Sequence, residues 1–397
     1  MELSLRETVL AAVVVLLIGR LLNSQIGVLR RYNIPQPVTG GIAASLLSLL
    51  AHQLWGFDVQ FDMSLRDVLL LAFFTSVGLS ARLDMLTKGG RPLLVLMFIC
   101  VAGVVLQNVT GLVMAMATGL PTVNGLLLGS VSLFGGHGTS VAWSSVFEEQ
   151  VGISNALEIG IGSATMGLIL GGLVGGPLAQ KLIEKHKLKA GEPVIQSSGD
   201  RRSGRQIDSQ GMFVVLMYLS AGMILGTHVA QWGTQHGVNI PEFLACMLSG
   251  LVLTNILPRL LPKLEAPTEG QSLSLMSEMT LGLFLAMSLM GMQLWTLVDL
   301  ALPMLVTVVV QVTMMVLLVV FVMFPMLGKS YDSAVISAGY LGMGLGALPN
   351  AMANMNAVTA RYGAAPLAFM VIPLANAFFV DISNAVILQL LLNFFMP

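Results

Sequence analysis

The sequence predicts an all-α polytopic membrane protein built from two inverted-topology repeats, each with five transmembrane helices and one re-entrant hairpin. Three observations carry this. Of 397 residues, 10 % are charged and 55 % apolar, with mean hydropathy +0.85; an ordinary soluble domain has about 25 % charge. Apolar runs long enough to cross about 30 Å of hydrocarbon recur along the whole chain. Two further apolar stretches, at corresponding places in the two halves, are broken by glycines. A soluble enzyme and a disordered chain are excluded by this composition, and the net charge of −1 offers no basic surface to nucleic acid.

The first set of spans lies near 4–24, 37–55, 65–83, 92–119 and 154–180, and the second near 211–231, 240–258, 272–294, 298–327 and 365–394. The apolar run after Met1 lacks a basic leader and a cleavage site, so it reads as a retained first span. Cys100 and Cys246, the two cysteines, fall inside apolar runs and indicate neither a disulfide framework nor a metal site.

The interrupted stretches are Asn124–Phe147 and Asp332–Val358. As helices, Asn124–Phe134 and Thr139–Phe147 would be roughly 16 Å and 13 Å long, enough to reach the midplane but not to cross. Irregular backbone at that depth is tolerated only where protein or water surrounds it. Both stretches therefore read as re-entrant hairpins. The one long polar stretch, 181–210, reads as a cytoplasmic linker between an N-terminal repeat (1–180) and a C-terminal repeat (211–397). With it inside, seventeen of the nineteen Lys and Arg residues fall at cytoplasmic positions, leaving only Arg6 and Arg66 outside, as the positive-inside rule asks. Both termini are then outside. An odd number of crossings per half makes the second half enter upside down. Gly78 with Gly291, Pro92 with Pro303, Gly119 with Gly328 and Gly152 with Gly363 trace a weak repeat at an offset near 210. Inverted repeats with broken helices are the architecture of secondary transporters.

Chemistry concentrates at the breaks. In Ser132-Leu-Phe-Gly135-Gly136-His137-Gly138-Thr139, the glycines permit a tight turn and close approach of a solute to the main chain. Thr139 is placed to cap the second arm, whose free N–H groups and dipole suit an anionic group. The second break, Gly344-Leu-Gly346, is followed by Pro349 in a helix's first turn. Asn350 and Asn354 share a face there, and Arg361 could hold a carboxylate, although anchoring the cytoplasmic boundary is the commoner use of such a residue. Acids within spans point to function because an unpaired charge in lipid is costly. Asp381, with Asn384 on the same face and Pro373 upstream, offers the hard oxygen ligands a small cation takes. Asn155, Glu158 and Thr165 form a shallower set of the same kind, and Glu158 reads equally well as an interfacial residue. The glycines at 171, 172, 175 and 176 read as helix packing alone. There is no HExxH motif and no Gly-x-Ser-x-Gly elbow, and nothing pairs a nucleophile with a base, so no enzymatic activity is expected.

Across essentially its whole length the chain resembles the bacterial sodium/glutamate symporter family. The resemblance rests on Asp62-Met-Ser-Leu-Arg-Asp67, Gly135-Gly-His-Gly-Thr139, Gly344-Leu-Gly-Ala347 with Pro349, Ala353-Asn-Met355, and Phe378-Phe-Val-Asp381 with Asn384. It implies Na⁺-coupled uptake of L-glutamate across the bacterial inner membrane, two re-entrant loops, a homodimer, and elevator-like alternating access, with no organic cofactor. Another acidic amino acid or small dicarboxylate is the alternative substrate, and an ion channel the alternative class. Phe134 stands where the pattern usually has a small polar residue, and Tyr340 where histidine is familiar; Ser140, Asn350 and Asn376 also depart from it.

Overall fold

The computed structural model describes residues 2–56, 59–83, 90–190, 209–236, 240–260, 271–292 and 300–395. In chain order the helices of the first half are α1 (Leu5–Gln25), α2 (Gly27–Arg31), α3 (Gln36–Trp55), α4 (Ser64–Ser80), α5 (Gly90–Ala117), α6 (Asn124–Leu127), α7 (Gly136–Val146) and α8 (Ala156–His186). Those of the second half are α9 (Ser209–Gln235), α10 (Glu242–Leu260), α11 (Gln271–Met290), α12 (Ala301–Leu318) and α13 (Phe324–Met326). They are followed by α14 (Tyr331–Gly344), α15 (Leu348–Tyr362), α16 (Pro366–Ala375) and α17 (Asp381–Phe395). Three π-turns, Phe147–Val151, Val319–Met323 and Asn376–Val380, continue or join these helices. The sole departure from helix among the described elements is a two-residue parallel pair, with Glu2 opposite Gln60 and Leu3 opposite Phe61. Five segments are long and apolar enough to span a membrane: Gly90–Ala117, Ala156–His186, Ser209–Gln235, Gln271–Met290 and Ala301–Met326. The protein is thus an all-α membrane protein.

The chain folds into two compact units, and each draws on both halves of the sequence. The first comprises 1–25, 35–85 and 195–292; the second comprises 26–34, 86–194 and 293–397.

In the first unit, helices meet backbone to backbone. A Cβ built on Gly78 of α4 would lie 1.9 Å from the Met247 carbonyl oxygen of α10, and one on Gly250 would lie 2.5 Å from that of Thr75. Gly19 and Gly40 bring α1 and α3 together in the same way. Lipid gives helices little hydrophobic reason to associate, so close approach and polar contacts do that work. Accordingly, the Thr254 hydroxyl donates to the Leu79 carbonyl at 2.8 Å and Ser45 to Leu289 at 2.5 Å. At the start of α4, the Ser64 hydroxyl and N–H both donate to Asp62 Oδ1 and hold that carboxyl below its usual range.

The second unit holds both interrupted stretches. Its core includes Leu96, Ile99, Met315, Ile336, Leu341, Met355 and Ile372. The second stretch is a helix, a short break and a second helix. Ser330 opens α14 with a reciprocal capping box to Ser333, the helix breaks at 345–347, and Pro349 sits in the first turn of α15. At roughly 21 Å and 22 Å these arms are shorter than the hydrocarbon is thick. Every residue of α14 except Asp332 is buried.

The first stretch differs from expectation. The helix expected over 124–134 is a single turn, α6, followed by a chain of turns through 135. Gly125, Gly129 and Gly135 have low helix propensity, and Ser130 and Ser132 hydrogen-bond elsewhere. Thr139 does not cap the second arm either. The helix starts three residues earlier, at Gly136, with Gly135 at the cap position and no side-chain capping bond. The expected linker also begins later than 181, because α8 carries Lys181 and Lys185 and ends at Lys187 in the left-handed conformation. Residues 191–208 of that linker lie outside the described residues.

Candidate functional site

The two glycine breaks of the second unit touch. Gly136 adopts φ +67°, and a Cβ there would stand 3.0 Å from the Gly346 carbonyl oxygen. Neither the backbone conformation nor the gap welcomes a side chain. Gly136→Ala is therefore expected to cost about 1–2 kcal/mol in stability, readable as a lowered melting temperature of the purified protein. The N–H groups of His137 and Gly138, in the first turn of α7, have no hydrogen-bond partner among the described residues. They form the positive end of an eleven-residue helix, a setting that favours an anion.

Side chains around this tip are tied down. His137 Nε2 lies 3.1 Å from Thr165 Oγ1. That hydroxyl spends its proton on the Ile161 carbonyl at 2.9 Å, so Nε2 is the donor. Ser132 donates to Leu127 at 2.5 Å, and Ser140 to Gly136 at 2.8 Å. Thr139 is buried in the same turn. Phe134 and Tyr340 pack edge to face with ring centroids 5.8 Å apart. The Tyr340 hydroxyl donates to the Ile99 carbonyl at 3.0 Å.

Asn350 and Asn354 do share a face, as their spacing predicts, but it is turned to α8. Asn350 Nδ2 donates to the Leu168 carbonyl at 2.6 Å, while its Oδ1 accepts from Asn33 Nδ2 at 3.1 Å. Asn354 Nδ2 donates to the Gly171 carbonyl at 3.1 Å. Gly175 makes room for that amide, since a Cβ there would meet Asn354 Nδ2 at 2.2 Å. Gly171 and Gly175 thus pack helices, as expected, whereas Gly176 faces open space. Arg361 is exposed at the far end of α15, with its guanidinium 5.2 Å from the Tyr362 ring centroid. That places it roughly 20 Å along the helix from the break.

Of the oxygen-bearing residues, Asp381 begins α17 directly after the π-turn. It is half-buried, and its carboxylate takes no hydrogen bond among the described residues. Asn384 is buried and bonded to Ser130, with Nδ2 donating to the Ser130 carbonyl at 3.0 Å. Glu158 is buried and Asn155 half-buried at the start of α8. Thr165, expected with them, is engaged by His137 instead. No cluster of three His, Cys, Asp or Glu side chains suited to a metal occurs among the described residues.

Sequence reasoning missed three buried amides in mid-span. Gln107 Nε2 donates to the Gly344 carbonyl at the second break, at 2.7 Å. Gln311 Nε2 donates to the carbonyls of Gln107 at 2.8 Å and Leu128 at 3.3 Å, the latter on the unwound first stretch. Asn108 Oδ1 accepts from Ser130. Helix α5 thus reaches the break of the second half, and α12 the break of the first. The signal was available: fully amide side chains within runs of Val, Leu and Met, at corresponding places in the two halves.

A membrane-embedded, all-helical chain whose two broken helices meet at glycines defines a class, that of polytopic membrane proteins with paired interrupted helices. The family follows from comparison. A family model described as Sodium/glutamate symporter matches residues 1–364. A protein of Escherichia coli (strain K12) named Sodium/glutamate symporter is 41 % identical over 389 residues, 97 % of this chain and 96 % of that one. A Haemophilus influenzae protein of the same name is 37 % identical over 390 residues, 96 % of each chain. The chain belongs to the sodium/glutamate symporter family, whose relatives here are named as transporters and not enzymes.

Proposed function

We propose that this protein carries L-glutamate into the cell together with Na⁺, by alternating access at the paired breaks. The observation that carries the reading is the contact between Gly136 and Gly346, with unpartnered N–H groups of α7 beside it. An anionic carboxylate is the natural occupant of such a helix end. The substrate-binding set is then Ser132, Gly135, Gly136, His137, Gly138, Thr139, Gly344 and Gly346. Asn350 and Asn354 position α15 rather than touch substrate, and Arg361 marks the membrane boundary. Asp381 and Asn384 are assigned to Na⁺; Asn155, Glu158 and Thr165 are a second, weaker set. Arms too short to cross favour re-entrant hairpins, and a compact unit that contains both favours that unit as the moving body of an elevator. The inner membrane, with termini outside and the linker in the cytoplasm, fits the charge distribution. A homodimer is the assembly expected of the family.

Energetics bear on the coupling. Glutamate carries net −1, and one charge moved across 100 mV is worth about 2.3 kcal/mol. One Na⁺ per glutamate makes the cycle electroneutral; two let an inside-negative potential drive uptake, which is the stoichiometry we favour. The test is labelled L-glutamate uptake into proteoliposomes under an inward Na⁺ gradient, with choline as control and excess unlabelled aspartate as competitor. Accumulation above equilibrium only with Na⁺ is expected, and stimulation by an inside-negative potential. Abolition by aspartate would broaden the substrate; indifference to Na⁺ would overturn the coupling.

A further inference from the structure

We infer that Asn108, Ser130 and Asn384 form a Na⁺ site on the unwound segment between α6 and α7. The argument is a shortage of protons among converging oxygens. The Ser130 hydroxyl lies 2.9 Å from Asn108 Oδ1 and 2.6 Å from Asn384 Oδ1. Both are acceptors, and a serine has one proton to give. Turning either amide over would remove the conflict, but the Ser130 main chain prevents it. Its N–H donates to Asn108 Oδ1 at 3.3 Å, and its carbonyl accepts from Asn384 Nδ2 at 3.0 Å. Each backbone group thereby fixes the orientation of one amide, and both amide oxygens are left aimed at the same hydroxyl. All three side chains are fully or almost fully buried, so an unshared pair of acceptors is costly there.

Neighbouring atoms add to the same excess. A Cβ built on Gly129 would be 3.0 Å from each of three oxygens: Asn108 Oδ1 and the carbonyls of Gln107 and Gly125. The missing side chain thus leaves a small space walled by oxygen. On α17, Asp381 lies one turn before Asn384 and contributes a negative charge without a hydrogen-bond partner among the described residues. Several converging neutral oxygens suit a hard monovalent cation, and among the described residues no group of His, Cys, Asp or Glu is gathered to draw a transition metal. On this assignment Na⁺ holds α5, the unwound first stretch and α17 together, and ion occupancy is felt directly by the segment that leads into the Gly135–Thr139 tip.

The inference rests on the Na⁺-coupled reading above, and binding separates it from transport. The experiment is thermal unfolding of the purified full-length protein, titrated with NaCl against choline chloride at constant ionic strength. The intact protein should melt higher in Na⁺. Ser130→Ala should need at least about tenfold more Na⁺ for half the effect, and in uptake assays its half-saturating Na⁺ should move further than its glutamate KM. Asn108→Asp keeps Oδ1 and replaces an amide nitrogen that has no hydrogen-bond partner among the described residues. Its stability should become more strongly Na⁺-dependent than that of the intact protein, a response a purely structural role would not produce. Ser130→Ala titrating like the intact protein, or Asn108→Asp losing equal stability in Na⁺ and choline, would overturn the site. Na⁺ stabilisation without Na⁺-driven uptake would uphold the site and remove the coupling.

Discussion

Asp381→Asn is expected to reduce Na⁺-driven glutamate accumulation on the order of 100-fold or more while leaving a folded protein. The side chain keeps its size and one oxygen; only the charge goes. Were the carboxylate a direct neighbour of the cation, at about 4 Å, its charge would contribute about 4 kcal/mol at an effective dielectric near 20, more than two decades of affinity. The carboxylate stands without a hydrogen-bond partner among the described residues, so no donor is left stranded by the change. The check is the accumulation ratio in proteoliposomes over a wide Na⁺ range, beside a melting curve of the same preparation. Wild-type accumulation at wild-type Na⁺ concentrations would exclude Asp381 from coupling.

Gly78→Leu is expected to prevent accumulation of folded protein altogether. The added Cβ would fall 1.9 Å from a main-chain carbonyl oxygen of α10, and no side-chain rotation relieves a clash with backbone. Overpacking a core typically costs 1–3 kcal/mol; here α4 and α10 must separate along a contact that Gly250 repeats from the other side. Gly27→Ala is the control, because nothing lies within 4 Å of a Cβ at that position. Size-exclusion profiles of the two variants in detergent should diverge: aggregate or absence for Gly78→Leu, and a normal peak for Gly27→Ala. A normal peak for both would mean that the α4–α10 approach is not needed.

Much of this architecture was legible in the residues, for identifiable reasons. Helix positions follow from apolar length, and the interruptions that end near Gly135 and begin after Gly344 fall where glycines cluster. Pro349 marks a first turn because it lacks the N–H that a first turn leaves idle. What stayed hidden depends on partners distant in sequence. Nothing local says that Asn350 and Asn354 spend their N–H groups on α8 carbonyls, or that Ser130 gathers amides from residues 22 and 254 positions away. The start of α7 differs from the expected Thr139 cap because Gly136 adopts the positive φ that the turn requires and the helix begins there without a side-chain cap. Sequential halves and compact units also differ, since a repeat is a property of chain order and a unit a property of packing.

The π-turn at Asn376–Val380 has a consequence for length. A π-turn holds one residue more than regular helix would, and each residue in an α-helix turns the chain by about 100°. Loss of one of those five residues would let the π-turn close as ordinary α-helix, and because the turn only absorbs the extra residue, Asp381 and Asn384 would keep nearly the same facing toward Ser130. Which residue is lost hardly matters. The π-turn is thus a buffer of register: this stretch can give up its extra residue without turning the pair, whereas a residue lost between Asp381 and Asn384, in the regular helix of α17, would rotate one against the other by about 100°.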